Sequence, residues 1–236
     1  MSRPLRVATY NLKGLHLDED AAREVVRELA PDVLGVTEPP RGLTGRWRLR
    51  AFARAVGLRV VVGGGGARTT ALLVRPEARV EQGRARRLPV RPGRVRRGFC
   101  TAVVDGVTVA VVHLGLDAVE RKAHLARVLT PVPPGTSVLV GDLNEQPGRP
   151  AWTTLGGVLR DAAEVAAHAS GAPPEPTYPA TDPRWRIDVV FVGPDVEVLA
   201  ARVPAGPAVE RASDHRPLVV DLRVPEPGAA HGRMGA

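Results

Sequence analysis

Short apolar runs alternate along the chain with segments whose apolar residues recur every three to four positions. Leu5–Tyr10, Val33–Thr37, Arg59–Val62 and Thr70–Val74 read as strands in the first third. Gly98–Val104, Val107–Val112, Ser137–Val140, Ile187–Val192, Val196–Val203 and Leu218–Leu222 follow. Asp18–Ala30 has acids in its first turn and Val25, Val26 and Leu29 on one face, the pattern of an amphipathic helix. Trp47–Val56, Asp117–Leu129, Arg149–Leu159 and Asp161–His168 also read as helices. Asp105-Gly106 marks a hairpin turn. Gly63–Gly66 lacks the Gly-Lys-Ser/Thr of a phosphate-cradling loop and reads as a flexible connection. Gly171–Arg184 reads as a proline-rich loop. About ten strands, a few helices, no repeat and no linker predict one α/β domain with sheets packed face to face. That domain is expected over residues 1–224, with a frayed tail over 225–236.

The 236 residues are 44% hydrophobic and 25% charged, enough to bury a sizeable core and unlike a collagen-like, disulfide-scaffold or wholly disordered chain. Cys100 is the sole cysteine, so no internal disulfide forms, and its strand context predicts a small core residue. No apolar run reaches the roughly 18 residues that cross a bilayer. The N-terminal residues enter a strand pattern with no apolar leader core. A cytoplasmic, monomeric protein without a membrane span is expected. The formal charge is +8, and 31 of the 33 basic residues are arginines. Seven of these lie between Arg84 and Arg97, a segment without acids, and the remainder of the chain is nearly neutral. Clustered arginines attract a phosphate backbone, so the segment offers a contact for DNA or RNA. A solvated basic loop is the plainer reading.

Polar residues break the apolar pattern where strands end. Asn11 and Glu38 follow the first two strands, His113 follows Val109–Val112, and Asp142 and Asn144 follow Val138–Val140. Asp188 interrupts Ile187–Val192, and Asp214-His215 precedes the last strand. Such groups beside buried strands are costly unless paired or ligating. Their carboxylate and carboxamide oxygens suit Mg²⁺ or Mn²⁺. Zinc fits poorly, because there is one cysteine and no H-E-x-x-H spacing. Each residue alone could be a turn cap or solvated loop acid. His16, His124, His168 and His231 are expected at the surface. Trp47, Trp152 and Trp185 are candidate stacking platforms or core residues, with Trp185 the best placed to line a cleft.

The ordered fragments T-Y-N-L (Thr9–Leu12), V-T-E-P (Val36–Pro39), V-H-L (Val112–Leu114), G-D-L-N (Gly141–Asn144), R-I-D-V-V-F-V (Arg186–Val192) and S-D-H (Ser213–His215) carry a resemblance. Over roughly residues 5–223 the chain resembles the endonuclease/exonuclease/phosphatase superfamily, with its deoxyribonuclease-I-like fold. The resemblance implies a four-layer sandwich of two packed mixed β-sheets flanked by helices. It also implies a divalent-metal-dependent phosphoesterase, with the site at one end of the sandwich. Glu38 resembles the principal metal carboxylate, with Asn11 beside it and Asp214 as an additional metal or supporting carboxylate. Asp142 looks like the residue that orients or deprotonates water, and Asn144 like a donor to phosphate. His215, held by Asp188, is similar to the histidine that binds or protonates the phosphoryl group, and His113 to a second such histidine. Lys13 stands where several nuclease relatives have an acidic or polar residue, and could meet phosphate instead. Val189 replaces an aromatic common after Arg-Ile-Asp. Lys13, Arg97 and Trp185 are the candidate substrate contacts. A phosphodiesterase or nuclease is the leading expectation. A phosphatase or phosphodiesterase of a small-molecule or lipid-linked phosphate is the alternative, and a non-catalytic binding module is a further one.

Overall fold

Strands buried along their whole length occupy the middle of the fold, and the strands at its edges are partly or wholly exposed. The computed structural model describes residues 2–132, 135 and 137–226. In chain order its elements are β1 (Ser2–Asn11), α1 (Glu19–Leu29), β2 (Val33–Thr37), α2 (Gly45–Ala55), β3 (Arg59–Gly63), β4 (Thr70–Val74), β5 (Val80–Arg87), β6 (Gly98–Val104) and β7 (Val107–His113). Then come α3 (Ala118–Leu129), β8 (Ser137–Asp142), α4 (Pro150–Gly156), β9 (Arg160–Asp161), α5 (Ala162–Ser170), β10 (Asp188–Val192), β11 (Glu197–Arg202), α6 (Pro207–Ala212) and β12 (Leu218–Pro225).

One sheet has the order β11-β12-β1-β2-β4-β3, the other β5-β6-β7-β8-β10-β9. Each contains one parallel pair, β1 with β2 and β7 with β8, and is otherwise antiparallel. A parallel pair needs a long crossover, and α1 and α3 supply it. Asp18 and Asp117 cap these helices through their side chains. The inner faces meet in a shared core, where Val7, Leu72 and Val220 pack with Val109, Val138 and Val190. The sheets come so close at Gly35 that a Cβ there would lie 2.1 Å from a Val140 methyl. α1, α2 and α6 cover one outer face, and α3 and α4 the other. The expected four-layer sandwich is the observed one. Cys100 is buried in the shared core, as expected.

Three elements were not legible in the sequence. The start of the expected arginine loop, Arg84–Arg87, belongs to strand β5, paired with β6 from Val80↔Val104 to Arg87↔Gly98. Its exposed sequence, VEQGRARR, has no apolar face to announce it, and partnership with β6 forms it instead. β9 has only two residues, and α6 only six. α4 is shorter than predicted, starting at Pro150 and ending at Gly156. β12 reaches Pro225, one residue into the expected tail, and residues 227–236 lie outside those described. Among the described residues no helix is long and apolar enough to cross a membrane.

Candidate active site

The two parallel pairs point their carboxyl ends the same way, and loops at such ends form natural crevices. Asn11 ends β1, Glu38 follows β2, His113 ends β7 and Asp142 ends β8. Asp188 begins β10 in register with Asp142, because those strands are antiparallel. His215 comes three residues before β12, the antiparallel partner of β1. Six chemistry-bearing positions scattered over the sequence thus meet at one end of the sandwich.

A cleft of about 760 Å³ opens there, lined by Asn11, Glu38, Arg97, Asp142, Asn144 and His215, with Asp214 and Trp185 at its walls. His113 and Asp188 are buried beneath it. His215 Nδ1 lies 2.8 Å from Asp188 Oδ2, and its Nε2 lies 3.4 Å from Asn11 Nδ2. Burial opposes charge on His215, but the Asp188 carboxylate outweighs it, and the imidazolium is held up to about 9. Asp142 accepts the Asn144 backbone N–H at 2.8 Å. Burial, then the neighbouring Asp188 charge, pushes its carboxyl up to about 7. Asn144 adopts a left-handed backbone, φ 50°, and donates from its amide to the Leu114 carbonyl, tying the β7 and β8 loops together.

Arg97 is turned inward. Its Nη1 lies 2.5 Å from His113 Nε2 and 3.9 Å from Glu38 Oε1. Burial, and then the positive charge of Arg97, drive the His113 pKa well below its ordinary value. A neutral imidazole facing a guanidinium accepts a hydrogen bond and is a poor proton donor, so His113 suits positioning better than acid catalysis. Lys13 does not line the cleft. Its Nζ pairs with Asp214 at 2.7 Å and neutralises that carboxylate.

The donor set can be tested against the expected cation. Ligand atoms of Asp142, Asp188 and His215 lie within 4.8 Å of one another, and Asp188 Oδ1 is buried with no hydrogen-bond partner. An orphaned carboxylate oxygen beside a second buried acid is a charge pattern that a hard divalent cation relieves. Glu38, 37% exposed, adds carboxylate oxygens at the cleft. The residues fit such an ion.

Several cleft residues were missed in the sequence. Tyr178 lines it, stacks on Trp185 at 5.6 Å and leans on His215 at 4.7 Å. Trp185, 45% exposed, keeps a free surface at the rim. Arg121 pairs with Glu145 at 2.8 Å and donates to the Leu116 carbonyl, clamping the loops after β7 and β8. Glu145, directly after Gly-Asp-Leu-Asn, was the available signal. Of the other tryptophans, Trp152 is buried and donates to the Glu145 carbonyl, whereas Trp47 is exposed on α2. His124 corrects the surface expectation: it is buried, with Gly115 N–H donating to Nδ1 and Nε2 bonded to the Pro89 carbonyl. His16 and His168 are exposed, and His231 lies outside the described residues.

The chain belongs to the Endonuclease/Exonuclease/phosphatase family, whose model matches residues 8–215. Among curated proteins none matches it. Solved structures do. An endonuclease/exonuclease/phosphatase from Bacteroides vulgatus has a TM-score of 0.75 at 20% identity, covering 94% of this chain and 100% of its own. One from Beutenbergia cavernae DSM 12333 has a TM-score of 0.71 at 26% identity, covering 94% and 72%. A mannosyl-6-phosphatase from Bacteroides thetaiotaomicron has a TM-score of 0.73 at 18% identity, covering 92% and 99%.

Proposed function

We propose that the protein is a divalent-metal-dependent hydrolase of phosphodiesters, acting through attack of water on phosphorus. The observation that carries this reading is the buried Asp188–His215 pair set beside Asp142, whose carboxyl is raised into the range of a working base. Bound at the oxygens of Glu38 and its neighbours, Mg²⁺ or Mn²⁺ would polarise the phosphoryl group and offset its charge. Asp142 orients a water and takes its proton as the water oxygen bonds to phosphorus, while the phosphorus–oxygen bond to the alcohol breaks and the departing alkoxide takes a proton from solvent. His215, a cation on its Asp188 support, donates to a phosphoryl oxygen, and Arg97 donates to another. Asn11 and Asn144 line the same cleft with their amide groups.

Charge admits an anionic phosphate ester at the cleft. Asp188 pairs with His215 and Asp214 with Lys13, leaving Glu38 and Asp142 against Arg97. With Arg149, which also lines the cleft, these groups sum to zero before a divalent cation binds and +2 after, a charge that accommodates a diester or a monoester. The mannosyl-6-phosphatase neighbour supports the rival reading, a phosphomonoesterase.

Bis-nitrophenyl phosphate, nitrophenyl phosphate, plasmid DNA and RNA, each with Mg²⁺, Mn²⁺ or a chelator, separate the readings. The diester is expected to be cleaved only with metal, and Asp142→Ala and His215→Ala to abolish that cleavage. Monoester cleavage alone supports the phosphatase. No cleavage of any ester with either metal refutes the enzyme reading.

A further inference from the structure

The catalytic cleft continues past its polar wall. Ala118 and Pro150, which line it, also open a second depression of about 800 Å³ between α3 and α4. Both helices follow strands that end at the catalytic end, so both begin beside the cleft and lead away from it. Val119, Leu125 and Leu129 line the groove from α3 and Ala151 from α4, with Lys122 and Thr154 its polar members. Ala118 to Leu129 spans about 16 Å of helix. Leu125 and Ala151 are buried and form the floor, whereas Val119 is 66% exposed. Leu116, at the cleft wall, is 67% exposed. Large aliphatic side chains left in water beside a catalytic cleft mark an interaction surface. The volume falls within the ~300–1,000 Å³ of small-molecule sites.

We propose that this groove takes an apolar arm of the substrate, an alkyl or prenyl chain esterified to the phosphate held at Arg97 and His215. The inference rests on the phosphodiesterase reading and names its substrate class. The groove and the cleft meet at Ala118 and Pro150, which line both, so one molecule reaches from one to the other. Within the groove itself a polyanion finds a single cation, Lys122, whereas Arg149 lines the catalytic cleft and Arg84, Arg86 and Arg87 stand on β5.

The test has a binding arm and a turnover arm. Methyl, butyl, octyl and dodecyl phosphonate monoesters, which the enzyme does not need to cleave, are titrated calorimetrically below their micellar concentrations. Affinity rises about three- to fourfold per buried methylene until the groove is filled. The nitrophenyl phosphodiesters of the same alcohols show the same gradient, expressed in KM. Val119→Asp, an exposed position outside the catalytic cleft, flattens both gradients and leaves methyl-ester turnover unchanged. Equal affinity across the series, or a gradient that Val119→Asp does not touch, overturns the groove. A binding gradient abolished by Val119→Asp, with no ester hydrolysed, upholds the groove and refutes the phosphodiesterase reading instead.

Discussion

Replacing Asp188 by Asn keeps the shape of the side chain beside His215 and removes its charge. Burial pulls the His215 imidazolium down, but the Asp188 charge and the 2.8 Å hydrogen bond, with help from Asp142 and Asp214, carry it from 6.5 to about 9. A rise of that size corresponds to about 3 kcal/mol in favour of the protonated form. Without the carboxylate, burial dominates, and Asp188→Asn returns His215 to its ordinary value or below. Histidine NMR signals of chelator-treated protein read this directly as a titration moved down by two or more units. Unfolding in urea reads it thermodynamically. The folded pKa lies above the unfolded one, so His215 contributes stability that is fully present below about 6.5 and lost as pH rises through about 9. Across that window the native chain loses about 3 kcal/mol from this group, and the variant does not. Diester turnover near neutral pH falls by ~10²–10⁴. A variant whose His215 still titrates near 9, or whose stability difference from the native chain is constant with pH, refutes the argument.

Asp142→Asn is expected to trade activity for stability. The Asp142 carboxyl rises from 3.8 to about 7, so ionising it costs folding energy progressively across that range. Above that range the Asn variant is more stable, by up to about 4 kcal/mol in urea unfolding, and inactive; equal or lower stability contradicts the assignment. Gly35→Ala forces a methyl into Val140 across the two sheets and costs about 1–3 kcal/mol, so an unchanged melting temperature counts against the tight approach of the sheets. Replacing Arg84, Arg86 and Arg87 together by Gln changes stability by less than about 0.5 kcal/mol, because they are exposed and make no ion pair among the described residues. Small-diester turnover stays level, while any retention on DNA loses salt dependence by about 0.9 in slope per phosphate contact removed. A fall in diester turnover would place β5 in the catalytic unit.

What was legible in the sequence is what local patterning encodes. β2, β4 and β8 are buried at every position, and a continuous apolar run announces them. α1 declares itself by its acidic first turn and one apolar face. β5 could not be read this way, because an edge strand owes its form to its partner, and its partner β6 lies beyond a ten-residue connection. The ordered motifs brought out Asp142, Asp188 and His215, but not what those residues touch. Tyr178 on His215, Arg97 on His113 and Lys13 on Asp214 are contacts across 37, 16 and 201 positions. Contacts of that kind follow from topology and have no local period.

The seven arginines between Arg84 and Arg97 show why charge alone identified so little. Arg84, Arg86 and Arg87 stand exposed on an edge strand, where lone positive charge discourages pairing with another sheet. Arg91 is spent within the fold, its side chain on Asp117 and its backbone N–H on Glu120, which anchors the hairpin to α3. Arg97 alone turns into the cleft, where burial opposes its charge and the Glu38 and Asp142 carboxylates sustain it. The guanidinium is a fork of N–H donors, more than those two carboxylates and His113 take up, and a further oxygen acceptor completes its surroundings. A phosphoryl oxygen does that. Arg97 therefore ties a composition bias to the cleft, whereas Arg84, Arg86 and Arg87 stand exposed on β5 and Arg91 is tied to α3.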